Sequence, residues 1–207
     1  MQVFHAIVQW LQSQSPLELT GVFTGLLCVY LAAVNNIWNW PFAIISTGIY
    51  IYIFAHEALY ADALQNIYLF VINIYGWYYW SRQPANAPKL PLVRITKKQI
   101  LALILVAALV TPALGFTLVK LSGVLHYKPA AYPYLDSFCT VVSLTAQVFM
   151  ARKVVENWLV WIFVDVIYVG IYLAKGLEPT AIMFGIYAVL ALMGYIDWRR
   201  EYRKQLN

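Results

Sequence analysis

The chain has 207 residues, 62% hydrophobic and 11% charged, with a formal net charge of +5 and a mean hydropathy of +0.67. An ordinary soluble domain is about 25% charged, so this composition excludes a soluble globular enzyme and also a disordered or low-complexity chain. It indicates an all-α polytopic membrane protein forming a single transmembrane domain over residues 1–207. The aromatic fraction of 16%, with 8 Trp and 16 Tyr, suits membrane interfaces and the binding of a flat ligand.

At the N-terminus Phe4, Ile7, Val8 and Leu11 fall at helical spacing beside Trp10, which predicts a short interfacial helix. No Lys or Arg precedes that stretch, so it does not read as a secretory signal. A span needs about 20 mostly apolar residues, and seven are expected. They run about 17–35, 40–55 (opened by Pro41), 61–80 (closed by Trp77, Tyr78, Tyr79 and Trp80), 99–119, 135–151, 157–174 and 179–197 (opened by Pro179). A loop with Pro84, Pro88, Lys89 and Pro91 follows the third span. Another, with Tyr132-Pro133-Tyr134, precedes the fifth.

Seven spans divide the 14 Lys and Arg unequally. Eleven share one side: Arg82, Lys89, Arg94, Lys97, Lys98, Arg152, Lys153, Arg199, Arg200, Arg203 and Lys204. Three share the other: Lys120, Lys128 and Lys175. The positive-inside rule puts the larger group in the cytoplasm, giving an external N-terminus and a cytoplasmic C-terminus in the cell membrane. The outer side also carries Glu18, Glu57, Asp62, Asp136 and Glu178. These are either a weakly acidic vestibule or ordinary loop acids.

Comparing the chain with itself at an offset of 118 aligns Asn39-Trp40 with Asn157-Trp158, Tyr50 with Tyr168, Gly76 with Gly194, Trp80 with Trp198 and Arg82 with Arg200. Spans 1–3 therefore read as a repeat of spans 5–7, over about 17–82 and 135–200, with span 4 as linker. Three spans reverse direction and a fourth restores it. The expected fold is thus two parallel three-helix repeats joined by a linker helix, with a substrate site near the midplane between them.

Inside the spans no Lys or Arg lies away from an end, so a buried phosphate would lack its usual partners. Asp165 sits mid-way along span 6, with Trp158, Trp161, Tyr168 and Tyr172 on the same face. An intramembrane carboxylate is a functional-site hypothesis by default, and indoles and phenols around it suit a cationic aromatic ring. The alternative is a bond to a neighbouring helix with the aromatics as packing. Asp136, Thr140, Ser143 and Gln147 form a polar stripe on span 5 that fits either interhelical bonding or a pathway lining. Asn66 and Asn73 share a face of span 3; Asn39, Ser46 and Tyr50 share one of span 2. In the repeat register Asn73 faces Ala191 and Asp165 faces Thr47, so the halves differ in polar content.

Cys28 and Cys139 lie in apolar segments and read as small buried hydrophobes. His5, His56 and His126 stand at or near loops, far apart, so no metal site or cofactor is expected. No nucleophile motif argues for an enzyme. A retinal protein would want a Lys in its last span, and residues 179–197 contain none.

The stretches Asn35–Pro41 (NNIWNWP), Leu59–Ala63 (LYADA), Ile74–Trp80 (IYGWYYW), Glu156–Trp161 (ENWLVW) leading to Asp165, and the C-terminal GYIDWRR resemble the nicotinamide riboside transporter (PnuC) family of bacterial vitamin transporters. The resemblance covers nearly the whole chain. It implies a three-plus-one-plus-three fold related to the SWEETs, a homotrimer, and facilitated uptake of unphosphorylated nicotinamide riboside. By the same analogy Trp158 and Trp161 flank the nicotinamide side, and Asp165, Asn73 and Gln147 supply polar contacts. Some members carry an amide at the Asp165 position, and relatives move thiamine or flavins, so a thiamine transporter is the alternative. The mechanism expected is a passive carrier that rocks one three-helix unit against the other; a proton on Asp165 would make it a symporter. No proline is expected to kink a span, so Gly48, Gly76, Gly170, Gly185 and Gly194 are candidate flex points. Close helix packing is the competing reading, and the better fit at Gly76 and Gly194.

Overall fold

A computed structural model describes residues 12–57, 59–82, 91–124 and 132–206. The expected interfacial helix, His5, Pro84, Pro88, Lys89, His126 and Lys128 lie outside the described residues. Seven helices are described: α1 (Pro16–Ala33), α2 (Asn39–His56), α3 (Tyr60–Ser81), α4 (Lys97–Val124), α5 (Pro133–Ala151), α6 (Asn157–Ala174) and α7 (Glu178–Gln205). Each coincides with an expected span to within a few residues at most ends; α4 and α7 run on past the apolar stretch. Five of them, α1, α4, α5, α6 and α7, are long and apolar enough to cross a membrane. The expectation of proline-free spans is corrected at one place: Pro112 lies inside α4. The helix continues through it and packs mainly against α5.

The other six helices close a ring. α1 packs on α2 and α7, α2 on α3, α3 on α5, α5 on α6, and α6 on α7. Local chemistry sets the helix ends. Ser15 caps α1 reciprocally: its hydroxyl accepts from Glu18 N–H at 3.2 Å while the Glu18 carboxylate accepts from Ser15 N–H at 2.6 Å. The turn from α1 into α2 puts Asn35 at φ 53°, and the turn from α5 into α6 puts Lys153 at φ 58°. These two turns share their backbone bonds at an offset of 118. Asn36 N–H donates to Leu31 C=O and Asn39 N–H to Asn36 C=O; Val154 N–H donates to Phe149 C=O and Asn157 N–H to Val154 C=O. The side chains follow: Asn39 Nδ2 donates to Asn36 C=O at 2.7 Å and Asn157 Nδ2 to Val154 C=O at 2.6 Å. The asparagine of each Asn-Trp pair thus holds the turn that starts its helix.

The tryptophans of those pairs build the core. Trp40 lies against Gly76, where an added Cβ would sit 2.4 Å from Trp40 Cη2. Trp158 lies against Gly194, where a Cβ would sit 2.6 Å from Trp158 Cε2. Trp40 meets Trp80 edge-on at 5.3 Å, Trp158 meets Trp198 edge-on at 5.5 Å, and Trp80 and Trp198 meet each other at 6.0 Å. Trp80 Nε1 donates across the ring to Ala151 C=O at 3.1 Å, and Trp198 Nε1 to Ala32 C=O at 3.0 Å. Indoles with a satisfied N–H anchor well in such a core. This is also the basic end of the bundle. Buried Lys153 donates to Asn35 Oδ1 at 2.9 Å and stands 4.1 Å from the Trp80 ring centroid; Asn35 Nδ2 donates to Glu201 at 2.9 Å.

The segment before α4 is more than a loop. Leu92 is buried and its N–H donates to the Gln205 side chain at 3.1 Å. Val93 forms a parallel bridge to Val154, Arg94 pairs with Glu156, and Ile95 N–H donates to the Glu156 carboxylate at 2.8 Å. The chain between α3 and α4 is thereby strapped onto the α5–α6 turn.

Candidate functional site

Asp165 lies two turns along α6 from Trp158 and is only 5% exposed. Among the described residues it has no hydrogen-bond or ion-pair partner. Buried polar side chains are ordinarily satisfied, so this carboxyl is a candidate ligand group on α6.

Aromatic rings of α6 and α7 pack on one another further along the same helix. Tyr168, one turn along α6, packs on Phe184 of α7 at 4.8 Å, and Tyr172 stacks on the same ring at 5.3 Å. Tyr187, one turn further along α7, meets Phe184 edge-on at 6.1 Å and stands within electrostatic reach of Asp165, of Tyr50 on α2 and of Cys28 on α1. Gly25 of α1 is what lets these helices approach. A Cβ there would lie 3.2 Å from Ser46 Oγ and 3.6 Å from Tyr187 Oη. Tyr187 of α7 is thus the phenol linked to Asp165, with Tyr50 of α2 and Cys28 of α1 beyond it, while the Ser46 hydroxyl donates to Gly21 C=O at 2.9 Å. Such a lining can hold a ring by stacking, hydroxyls by hydrogen bonds, and a positive charge by the carboxylate.

The other residues selected from the sequence divide. Gln147 Nε2 donates to Asn73 Oδ1 at 2.8 Å, tying α5 to α3; Ser143 is buried on the same face of α5. Asn66 donates to Asp62 C=O of its own helix at 2.9 Å, which satisfies it locally. Asn39 serves the α2 turn described above. Trp161 is half-buried against the tryptophan core. Trp158 is 1% exposed and presents no open ring face. Its Nε1 is buried without a hydrogen-bond partner, and so is that of Trp40; a property shared by both halves does not single out a ligand site. A separate groove of about 300 Å³ between the start of α5 and the second half of α6 is lined by Tyr132, Leu135, Val166, Ile167, Gly170, Ile171 and Ala174. It contains none of the selected residues and has few groups with which to recognise a polar ligand.

A family profile described as "Nicotinamide mononucleotide transporter" matches residues 15–200. The nicotinamide riboside transporter PnuC of Escherichia coli K12 is 32% identical, over 91% of this chain and 87% of that protein. The chain belongs to this transporter family. The riboflavin/roseoflavin transporter RibM of Streptomyces davaonensis is 28% identical over 92% of this chain and 89% of that protein. A crystal structure of the vitamin B3 transporter PnuC matches with a TM-score of 0.71 at 24% identity, covering 98% of this chain and 88% of that one. The two share a fold.

A multi-pass membrane transporter thus carries the cluster around Asp165. Sequence reasoning overlooked Tyr187 and the strap at 92–95. A signal for Tyr187 was present: it stands one heptad before Gly194, hence on the inward face of α7. The strap had none, because its pairing partners lie some 60 residues away in sequence.

Proposed function

We propose that the chain imports unphosphorylated nicotinamide riboside by facilitated diffusion. The observation that carries this reading is the 32% identity to the E. coli nicotinamide riboside transporter over nearly all of both chains. The site chemistry supports it. A buried carboxyl with Tyr187 beside it suits a cationic aromatic ring, while among the described residues no Lys or Arg is placed to hold a phosphate beside Asp165. Asp165, Tyr168, Tyr50 and Trp161 form the proposed ring and charge contacts; Asn73, Gln147 and Ser143 stand ready for the ribose hydroxyls. Trp158, Asn39 and Asn66 join the site only if the bundle rearranges.

The architecture in this reading is two parallel three-helix units, α1–α3 and α5–α7, with α4 as linker, all seven helices spanning. The 118-residue recurrence of turns, bonds and Trp–Gly contacts supports it. So does the ring, in which α3 meets α5 as α7 meets α1. The charge asymmetry supports a cytoplasmic basic end, the family analogy a homotrimer. Alternating access would rock one unit against the other about the pseudo-twofold axis. The direct test is tryptophan fluorescence of the purified protein titrated with nicotinamide riboside, its 5′-phosphate, thiamine and riboflavin. Saturable quenching by the riboside and not by the phosphate is expected. Preference for thiamine or riboflavin would reassign the substrate, and indifference to all four would refute vitamin binding.

A further inference from the structure

At the basic end, residues that hold the same position in the two halves of the chain touch one another. Asn35 and Lys153 stand at the 118-residue offset, both at positive φ, and the Lys153 ammonium donates to Asn35 Oδ1 at 2.9 Å. Trp80 and Trp198 stand at the same offset, and their rings meet at 6.0 Å. Equivalent residues of two like units meet only where the axis relating the units passes between them. The two pairs form adjoining layers, because Lys153 Nζ lies 4.1 Å from the Trp80 ring centroid. A solute moving along that axis between the units has to pass both.

The bonds in these layers cross from one unit to the other. Trp80 of α3 donates to Ala151 C=O of α5, and Trp198 of α7 to Ala32 C=O of α1. Asn35, in the α1–α2 turn, is gripped at both ends of its amide. Its Oδ1 accepts from Lys153 in the α5–α6 turn, and its Nδ2 donates to Glu201 of α7 at 2.9 Å. Lys153 and Glu201 belong to one unit, and the strap joins them. Leu92 N–H donates to the Gln205 side chain, one turn beyond Glu201, while Val93 N–H donates to Lys153 C=O at 3.0 Å and Val155 N–H to Val93 C=O at 2.9 Å. That end of the unit is thus a socket, and Asn35 of the other unit is the peg in it. Among the described residues, side-chain bonds between the units thin out away from this end: Gln147 to Asn73 at 2.8 Å, then Tyr68 Oη to Leu144 C=O at 3.4 Å.

We propose that these two layers are the carrier's gate at its basic end, shut in this structure, and that Asn35 between Lys153 and Glu201 is the bolt that holds it shut. The inference rests on the reading of the chain as two three-helix units that rock against each other. Parting of the units at this end withdraws Asn35 from its socket and separates the two tryptophans. The Trp80, Trp198, Lys153 and Asn35 bonds across the axis then break together, while the strap keeps Lys153 and Glu201 moving as one piece. A bond made in only one of two states shifts the balance toward that state. A permanent joint at the same place would never open, and the two cases behave differently when the ends are tied.

The experiment uses the full chain in liposomes with labelled nicotinamide riboside. Counterflow of label against unlabelled riboside tests transport itself; its absence in the unsubstituted chain overturns the carrier reading and the gate with it. With counterflow established, Asn35→Cys and Glu201→Cys are combined and bridged by a short bifunctional thiol reagent that reduction cleaves. Bridging is expected to abolish counterflow and reduction to restore it, while each single variant given the same reagent keeps it. Counterflow that continues through the bridge means that the units do not part there, which overturns the gate and leaves the carrier intact. A second measurement serves if the paired variant does not fold. Ala33, next to the turn that holds Asn35, is fully buried, so the reaction of Ala33→Cys with a maleimide reports opening. Adding Glu201→Ala removes one hydrogen bond to a charged group and is expected to speed that reaction about tenfold. Adding Glu201→Gln instead keeps an acceptor for Asn35 and is expected to leave the rate close to that of Ala33→Cys alone. An unchanged rate with Glu201→Ala, or a Glu201→Gln rate as fast as that of Glu201→Ala, overturns the bolt.

Discussion

At the basic end of the bundle the two halves of the chain do the same thing twice, and around Asp165 they do not. Trp40 on Gly76 and Trp158 on Gly194, the Trp80 and Trp198 indole bonds, and the paired turns at Asn35 and Lys153 recur at one offset. The position that is Asp165 in one half is Thr47 in the other, and Asn73 is matched by Ala191. A ring of packed helices can be built from two like units because packing asks only for complementary shape. Recognition of an asymmetric ligand asks for groups that differ between the units. The recurring contacts are packing contacts, and the positions that differ are where the proposed site would find its asymmetry.

That contrast can be broken most forcefully at the tryptophans. Trp40→Ala and Trp158→Ala should each destabilise the protein by about 3–5 kcal/mol, seen as equal losses of thermal stability in detergent. If Trp158→Ala instead abolished riboside binding with stability unchanged, its symmetric role as scaffold would be wrong. Next comes Asp165→Asn, which should weaken binding of the riboside about 10- to 150-fold, the worth of a hydrogen bond to a charged group. Thermal stability should be unchanged or higher, because an unpartnered acid is removed; calorimetric titration and a melting curve read both.

The glycines sharpen the same line. Gly76→Ala and Gly194→Ala drive a methyl into an indole and should cost about 1–3 kcal/mol. Gly170→Ala meets nothing within 4 Å and should be neutral or stabilising by up to about 1 kcal/mol through helix propensity. Equal melting temperatures for Gly170→Ala and Gly194→Ala would remove the Trp–Gly contact from the account. The smallest effect is expected for the Gln147–Asn73 bond: a double-mutant cycle should give a coupling near 0.6 kcal/mol, the average for such pairs in a membrane.

Much of this was legible in the chain because bilayer thickness imposes a length on every apolar segment. The span at 157–174 coincides with α6, and the close-packing reading of Gly76 and Gly194 matches the indoles found against them. The candidate site was legible only in part. Asp165 and Tyr168 stood out as polar and aromatic residues in an apolar helix. The Asn-Trp pairs stood out too, but a motif that starts a helix and fills a core reads in sequence like one that grips a ligand. Pro112 was overlooked inside the long, mostly apolar stretch that became α4.

The sequence by itself determined which segments are helices, at what offset the Asn-Trp pairs and their glycines recur, and which stretches carry the cations, because each follows from local composition and spacing. Only the tertiary structure decided which aromatic faces are covered, that Leu92–Ile95 straps the α5–α6 turn, and that Tyr187 rather than a cation faces Asp165. Those outcomes depend on contacts between residues far apart in the chain, and a side chain's burial is set by the helix opposite rather than by its own.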